Sequence, residues 1–176
     1  LNDGQNTSRG VRYKTSIKIV NEGGKISSSD RTLSVDGANE VLIIVSSSTN
    51  LQDKNFIKTA ESLLGKAAST PYFKLRADHI NTYQKKFNRV SLKLGNDKNA
   101  DLPTNVRLAE FQKNDDPAFA ALYFQFGRYL MISGTRENSM PLNLQGLWAN
   151  GIQTPWNGDY HLNINLQMNY WPAEVC

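Results

Sequence analysis

The chain of 176 residues is long enough for one large domain or parts of two, and its 39% hydrophobic and 20% charged residues are typical of a globular protein and not of a disordered one. The net charge of +4 does not indicate a nucleic-acid partner, because the surplus lies in residues 1–100, where sixteen Lys and Arg are interspersed with nine Asp and Glu. No apolar run approaches the roughly 20 residues of a membrane span, and the single cysteine, Cys176, excludes an internal disulfide or a metal–thiolate cluster.

Residues 11–47 are predicted to be β-strands. In VRYKTSIKIV, every second residue from Tyr13 to Ile19 lies on one face, which is the period of a strand. The next residues, EGGK at 22–25, predict a turn. The run VLIIVSSST, which starts at Val41, is apolar on both faces and predicts a buried strand. This part of the sequence is therefore expected to be the end of an antiparallel β domain.

From Asn50 onward the sequence pattern becomes helical, because apolar residues recur at three- and four-residue steps. Capping residues and prolines mark where these helices begin. Four helices are predicted, beginning after Asp53, after Pro71, at Thr104 and at Pro117. The last of these is apolar on nearly every face, which predicts burial within a helical assembly.

Residues 137–160 are predicted to form a long, ordered, mostly irregular loop, followed by another helix near Asn165. The stretch that begins at Gly146 contains all three tryptophans, five asparagines and His161. A hydrophobic core does not need this mixture, because buried amides cost free energy unless each donor and acceptor is paired. The mixture is typical of a binding site for a polyhydroxylated ligand.

The window HLNIN is the most informative candidate for a ligand-binding segment. If it is extended, His161, Asn163 and Asn165 project to one side, about 7 Å apart at each two-residue step. The intervening leucine and isoleucine would then anchor the other side in the core. Carboxamides both donate and accept hydrogen bonds, and imidazole can do either, so these groups suit sugar hydroxyls.

Trp148 and Trp156 are the candidate substrate-binding indoles, since their flat apolar faces suit the C–H face of a pyranose ring. A second interpretation of the same region is structural. In that interpretation the asparagines satisfy backbone groups of a glycine-rich turn. Residue spacing alone does not decide between the two interpretations.

Other polar residues are weaker candidates. Glu174 could be a general acid, but a carboxylate in a first helical turn after proline more often stabilises the helix terminus. Asp159 could orient His161 or cap a turn, and we favour the cap. His79 is interpreted as a core or interface histidine. The sequence has no phosphate-binding loop and no second histidine near His161, so no metal and no cofactor are expected.

The segment NLQGLWANGIQTPWNGDYHLNINLQMNYWPAE resembles the pattern N-L-Q-G-x-W…P-W…Y-x-x-N-I-N-x-Q-M-N-Y-W-P-A-E of glycoside hydrolase family 95, the inverting α-L-fucosidases. Three upstream pieces are similar to that family's helices and links: DHINTYQKKFNRVSLKLG, LPTNVRLAEFQ and DPAFAALYFQFGRYLMISGTR. The resemblance covers nearly the whole chain from Gly10 onward.

The resemblance implies an α+β fragment of a longer polypeptide. On the family's plan, residues 1–50 are the end of an antiparallel N-terminal β-sandwich, and residues 51–103 are a helical linker. Residues 104–176 are the first helices of an (α/α)6 catalytic barrel and its active-site loop. The resemblance also implies an extracellular or periplasmic location. The oligomeric state is left open.

The activity implied by the resemblance is inverting hydrolysis of terminal α-L-fucose, α-1,2-linked, on a glycan substrate. Asn163 and Asn165 would position the attacking water, and His161 would contact the sugar hydroxyls. The family's catalytic glutamate and its assisting aspartate lie downstream of Cys176, on the rest of the same polypeptide. The 176-residue chain alone is therefore expected to be inactive.

Two alternative functions remain open at this point. One is an α-L-galactosidase of the same family, whose sugar differs from fucose by a C6 hydroxyl, and His161 argues mildly against it. The other is a non-catalytic carbohydrate-binding or scaffold piece, which would lack the later carboxylates.

Overall fold

The computed structural model describes residues 10–51 and 53–176. The chain divides into two compact units, with the described residues up to His79 in the first and Ile80–Cys176 in the second. The described residues combine an antiparallel sheet with helices, in agreement with the α+β prediction. The three-part organisation with boundaries after residues 50 and 103 stays a prediction. Across the described ranges, no helix is both long and apolar enough to cross a membrane.

The first unit contains a long β-hairpin. Strand β1 (Tyr13–Ser29) pairs antiparallel with strand β2 (Thr32–Thr49) through a two-residue connection, Asp30–Arg31. The turn predicted at residues 22–25 is wrong, because the two glycines there make a register shift within the strand. Gly24 has φ of +68°, and a Cβ atom at this position would lie 2.4 Å from the Asp36 carbonyl oxygen. The irregularity therefore needs glycine and bends the strand without ending it.

Helix α1 (Phe56–Ala68) contacts both strands of the hairpin. Phe56 and Ala60, one turn apart, are its buried residues. The prediction that VLIIVSSST is a buried strand is wrong: Ile43 is 62% exposed and Val45 59%, while Leu42 and Ile44, which alternate with them, are half-buried. Burial therefore alternates along residues 41–47 of β2, as expected for a sheet covered on one face.

Helix α2 (Tyr72–Phe87) starts directly after Pro71, as predicted, and runs from the first unit into the second. The second unit then contains α3 (Thr104–Glu110), α4 (Pro117–Gly134) and α5 (Asn165–Tyr170). Burial of α4 on nearly all faces is not observed, since Tyr123 and Phe126 are 75% and 52% exposed. Its buried residues are Phe119, Ala121 and Arg128.

A buried ion pair joins α3 to the start of α4. Arg107 donates from Nε and Nη2 to the two carboxylate oxygens of Asp116, each at 2.9 Å. Asp116 also caps α4 by accepting from the backbone N–H of Phe119 at 3.0 Å. The hydrogen bond from Arg107 holds the pKa of Asp116 below its usual value, against the opposing effect of burial. The same bond raises the pKa of Arg107.

This pair predicts a local dependence of stability on pH. The pKa of Asp116 is lowered in the folded state, so the ionised carboxylate stabilises the fold. This stabilisation is complete above the unfolded pKa of about 3.9 and is lost as pH falls through the folded pKa. Hydrogen–deuterium exchange of peptides from residues 104–134 measures this effect. We expect wild-type protection to exceed that of Asp116→Asn at pH 6, with the difference shrinking below about pH 4.

Asp115→Asn is the matched control, because Asp115 is exposed and its side chain makes no hydrogen bond or ion pair with the described residues. Hydrogen–deuterium exchange in Asp115→Asn should equal that of the wild type at every pH. A constant difference between wild type and Asp116→Asn from pH 6 to pH 2 would contradict the electrostatic role of this pair.

Arg128, on the buried side of α4, makes contact with the C-terminal end of α2. Its Nη1 donates to the carbonyl oxygens of Phe87 and Val90 at 3.0 Å each and to Gln125 Oε1 at 2.7 Å. Its Nη2 donates to the carbonyl oxygen of Lys86 at 3.3 Å. A helix C-terminus leaves carbonyls unpaired and has a partial negative charge, so a guanidinium stabilises it. Arg128 therefore fixes α4 against the last turn of α2.

Candidate active site

Helix α5 and the loop of residues 137–160 are joined by side-chain hydrogen bonds. The backbone N–H of Leu142 donates to the Tyr170 hydroxyl at 2.7 Å, and Asn169 Nδ2 donates to the Asn143 carbonyl at 3.1 Å. The hydroxyl of Tyr160 donates to the Pro141 carbonyl at 3.1 Å. These contacts hold an irregular segment in one conformation although few backbone bonds define it, as predicted for an ordered loop.

The same loop lies against the C-terminal end of α4. A Cβ atom at Gly134 would lie 2.7 Å from a methyl carbon of Leu142 and 3.5 Å from the ring of Trp148. Glycine at the helix end therefore allows close approach of the loop. This packing accounts for the burial of Leu142, while 47% of Trp148 remains exposed.

Within the loop, two segments pair and bring Asp159 close to residue 144. The N–H of Leu144 donates to the Asp159 carbonyl at 3.1 Å. Asn143 shapes the adjoining turn, because its carbonyl accepts from the Gly146 N–H at 2.9 Å and its Oδ1 accepts from the Gln145 N–H at 2.8 Å. The position of Asp159 is thus determined by residues about fifteen positions earlier in the chain.

A 3₁₀ turn, Pro155–Gly158, precedes Asp159 and has unusual backbone angles. Trp156 and Asn157 have φ values of +49° and +56°, and His161 has φ of +46°. Asparagine tolerates this left-handed region, but it is uncommon for an aromatic residue such as tryptophan. Residues held in such conformations often cluster at functional sites, where the surrounding structure enforces them.

The imidazole of His161 contacts two side chains. Its Nε2 lies 2.5 Å from Oδ1 of Asp159. Its ring is edge-on to the indole of Trp156, with centroids 6.4 Å apart and an interplanar angle of 79°. The side chain is 32% exposed, so one part of the ring is accessible. The turn-capping role that we favoured for Asp159 is wrong, since its carboxylate contacts His161 and accepts no backbone N–H from the described residues.

The HLNIN window is not extended. Residues 162–164 form a turn, and Asn165 is the first residue of α5. The physical reason is local: the Leu162 carbonyl accepts from Gln167 Nε2 at 2.7 Å, and the Ile164 carbonyl already accepts from the Met168 N–H at 2.9 Å. The expected anchoring of the two apolar residues is also wrong, because Leu162 is 69% exposed.

The two asparagines of this window lie at different places in that turn. Asn163 is exposed in the turn, and Asn165 is half-buried at the helix start. Within residues 10–51 and 53–176, neither side-chain amide makes a hydrogen bond, whereas those of Asn143 and Asn169 do. The loop backbone is therefore hydrogen-bonded by asparagines other than Asn163 and Asn165. The amides of Asn163 and Asn165 remain available to a ligand.

The predicted site residues are only partly brought together. Trp156 contacts His161, and its indole is 71% exposed. Trp148 packs against the glycines at 134 and 146. In the described part of the chain, its ring stacks with neither Trp156 nor His161. A cavity of about 770 Å³ lies elsewhere, in the first unit, lined by the hairpin and residues 68–72.

Sequence reasoning missed the residues that support the loop. Asn143, Asn169 and Tyr170 act through contacts between positions 26 or 28 residues apart, for which the sequence has no local signal. The pairing of Asp159 with His161 had a weak signal, the two-residue spacing. No group of three or more His, Cys, Asp or Glu side chains able to hold a metal occurs in the described ranges.

The chain is similar in sequence to known glycoside hydrolases. Residues 71–176 match the family model of the glycosyl hydrolase family 95 catalytic domain. Over 93% of its length the chain is 37% identical to alpha-L-fucosidase 2 of Arabidopsis thaliana, of which it covers 21%. It is 33% identical over 94% of its length to a probable alpha-fucosidase A of Aspergillus niger, covering 23% of that protein. A probable alpha-fucosidase A of Aspergillus oryzae is 34% identical over 95% of the chain, which covers 26% of it. The chain thus spans about a fifth to a quarter of the length of these relatives.

Proposed function

Since the chain belongs to glycosyl hydrolase family 95, we propose that the full-length protein is a glycoside hydrolase that removes terminal α-L-fucose from glycans. The observation that carries this proposal is the family match over residues 71–176, which includes the loop of residues 137–160 and all of α5. The names of the relatives indicate the same sugar. An α-1,2 linkage and an extracellular or periplasmic location are part of the proposal and rest on the family resemblance.

We propose an inverting reaction, in which an acid protonates the leaving oxygen and a water attacks the opposite face of the sugar. Asn163 and Asn165 position that water. The two free amides described above support this role, because each offers a donor and an acceptor that the described residues leave unused. A neutral amide is a poor base, so a carboxylate from a later part of the full-length protein polarises Asn165.

The sugar itself is held by His161, Trp148 and Trp156. The accessible part of the imidazole supports this role for His161, and the exposed ring surfaces of the two indoles support it for the tryptophans. Aromatic faces bind the apolar C–H face of a pyranose, while the imidazole discriminates hydroxyl positions.

The finer architecture is proposed on the same basis. The hairpin belongs to a β-sandwich, residues 51–103 form a linker, and residues 104–176 begin an (α/α)6 barrel. The exposed apolar side chains of β2 and α4 support this arrangement, because a larger assembly would cover them.

Incubation of the purified full-length protein with 2′-fucosyllactose tests the proposed function. We expect release of L-fucose, with the β-anomer appearing first in a time-resolved NMR spectrum because inversion converts the α-linkage. A parallel incubation with an α-L-galactoside distinguishes the galactosidase alternative. Binding of fucose without any release would favour a non-catalytic carbohydrate-binding protein, and initial appearance of the α-anomer would contradict inversion.

A further inference from the structure

The contact between Asp159 and His161 is built by the loop backbone. Asp159 is held on both sides, because its carbonyl accepts from the Leu144 N–H at 3.1 Å and its N–H donates to the Trp156 carbonyl at 3.2 Å. The left-handed conformation of His161, with φ of +46°, turns the chain directly after this segment. A non-glycine residue keeps such a conformation only where its surroundings enforce it.

The chemistry of the contact determines which ring nitrogen remains free. Nε2 of His161 lies 2.5 Å from a carboxylate oxygen in an ion-pair contact. A proton is therefore favoured on Nε2, because the carboxylate would repel a lone pair there. In a neutral imidazole the other nitrogen, Nδ1, is then the acceptor. Nδ1 makes no hydrogen bond with the residues that the structure describes. The indole of Trp156, edge-on at 6.4 Å between centroids, limits rotation of the ring.

We propose that Asp159 is a positioning residue that holds His161 in the Nε2–H tautomer, so that Nδ1 accepts a hydrogen bond from a hydroxyl of the terminal sugar. This inference rests on the proposed function. It assigns a part in substrate binding to Asp159, which is not one of the predicted site residues. Asp159 does not touch the sugar and acts through His161.

Four variants of the full-length protein test the proposal: Asp159→Ala, Asp159→Asn, His161→Ala and the double variant Asp159→Ala/His161→Ala. With 2′-fucosyllactose, Asp159→Ala should raise KM roughly three- to tenfold and change kcat less, the effect of losing one oriented hydrogen bond. Asp159→Asn retains an acceptor oxygen and should stay within about twofold of the wild type. The double variant should show the KM of His161→Ala alone, because Asp159 acts through the imidazole. Multiplicative losses of affinity in the double variant would overturn the proposal.

A spectroscopic measurement separates this proposal from the proposed function. In protein labelled with 15N-histidine, the signal absent from the His161→Ala spectrum belongs to His161. We expect this signal to show the Nε2–H tautomer in the wild type and a mixture of tautomers in Asp159→Ala. An Nδ1–H tautomer in the wild type would overturn the proposal whether or not the protein releases fucose. Absence of fucose release, together with the expected spectrum, would count against the proposed function alone.

Discussion

Replacing Asn165 by alanine in the full-length protein is expected to lower the kcat of the proposed hydrolysis about 10²–10⁴-fold, the range for removal of a positioned proton-transfer group. The water positioning proposed for Asn165 acts in the transition state, so the loss should fall on kcat and leave KM within a few-fold. Alanine is compatible with the first turn of α5, and Asn165 makes no side-chain hydrogen bond with the described residues. The substitution should therefore leave the fold intact.

Asn150→Ala is the matched control for this experiment. Asn150 is exposed in the same loop, and its side chain makes no hydrogen bond with the described residues. Steady-state kinetics and isothermal titration with L-fucose should show the control to be indistinguishable from the wild type. Equal losses of fucose affinity and turnover in Asn165→Ala would mean that the amide binds sugar and does not position water.

Replacing Arg128 by methionine is expected to give the largest loss of stability, about 3–5 kcal/mol, in the second unit. Methionine fills similar space but donates no hydrogen bond, so the Phe87 carbonyl loses the donor that Arg128 supplies. The carbonyls of Lys86 and Val90 lose Arg128 as well and keep the Arg89 N–H and Gln125 Nε2 as donors. Hydrogen bonds to a charged group contribute about 1.5–3 kcal/mol each and are not additive within one network. Increased hydrogen exchange in peptides from residues 80–90 and 117–134 measures the effect.

Two further variants define the cause of that loss. Arg128→Lys keeps the charge, but a single ammonium cannot reach acceptors that the guanidinium contacts with two nitrogens, so an intermediate loss is expected. Arg136→Met removes an exposed cation whose side chain makes no hydrogen bond or ion pair with the described residues, and it should leave exchange unchanged. If hydrogen exchange in Arg128→Met equals that of the wild type, the stability of the C-terminal end of α2 does not depend on Arg128.

The helices were predictable from the sequence because their signals are local. Asp116 followed by Pro117 marks the start of α4, and the structure has that cap with the Phe119 N–H as donor. The start of α2 after Pro71 was predictable for the same reason. Such signals depend on neighbouring residues within one turn, which the sequence displays directly.

The hairpin was less predictable because glycine pairs have more than one structural use. Gly23 and Gly24 suggest a turn in isolation, but the partner strand continues past them and converts the irregularity into a bulge. Exposure of β2 was also not predictable, since burial depends on which elements cover a strand. The apolar composition of β2 does not indicate which of its faces another element covers.

The candidate site was predictable in composition but not in shape. Of the residues of HLNIN, His161 contacts an indole, that of Trp156. Helix α5 begins inside the window and replaces the expected strand with a turn. Alternation of residue types was consistent with either structure. The hydrogen bonds that select the turn involve Gln167 and Met168, which lie beyond the window.

The bonds from Tyr170 and Asn169 to the loop have a consequence for the order of events during synthesis. Leu142 leaves the ribosome 28 residues before Tyr170, its hydrogen-bond partner. At typical translation rates that interval is on the order of a few seconds. During it, the nascent loop lacks the groups that fix its conformation, so this segment can reach its final arrangement only after the downstream helix has emerged.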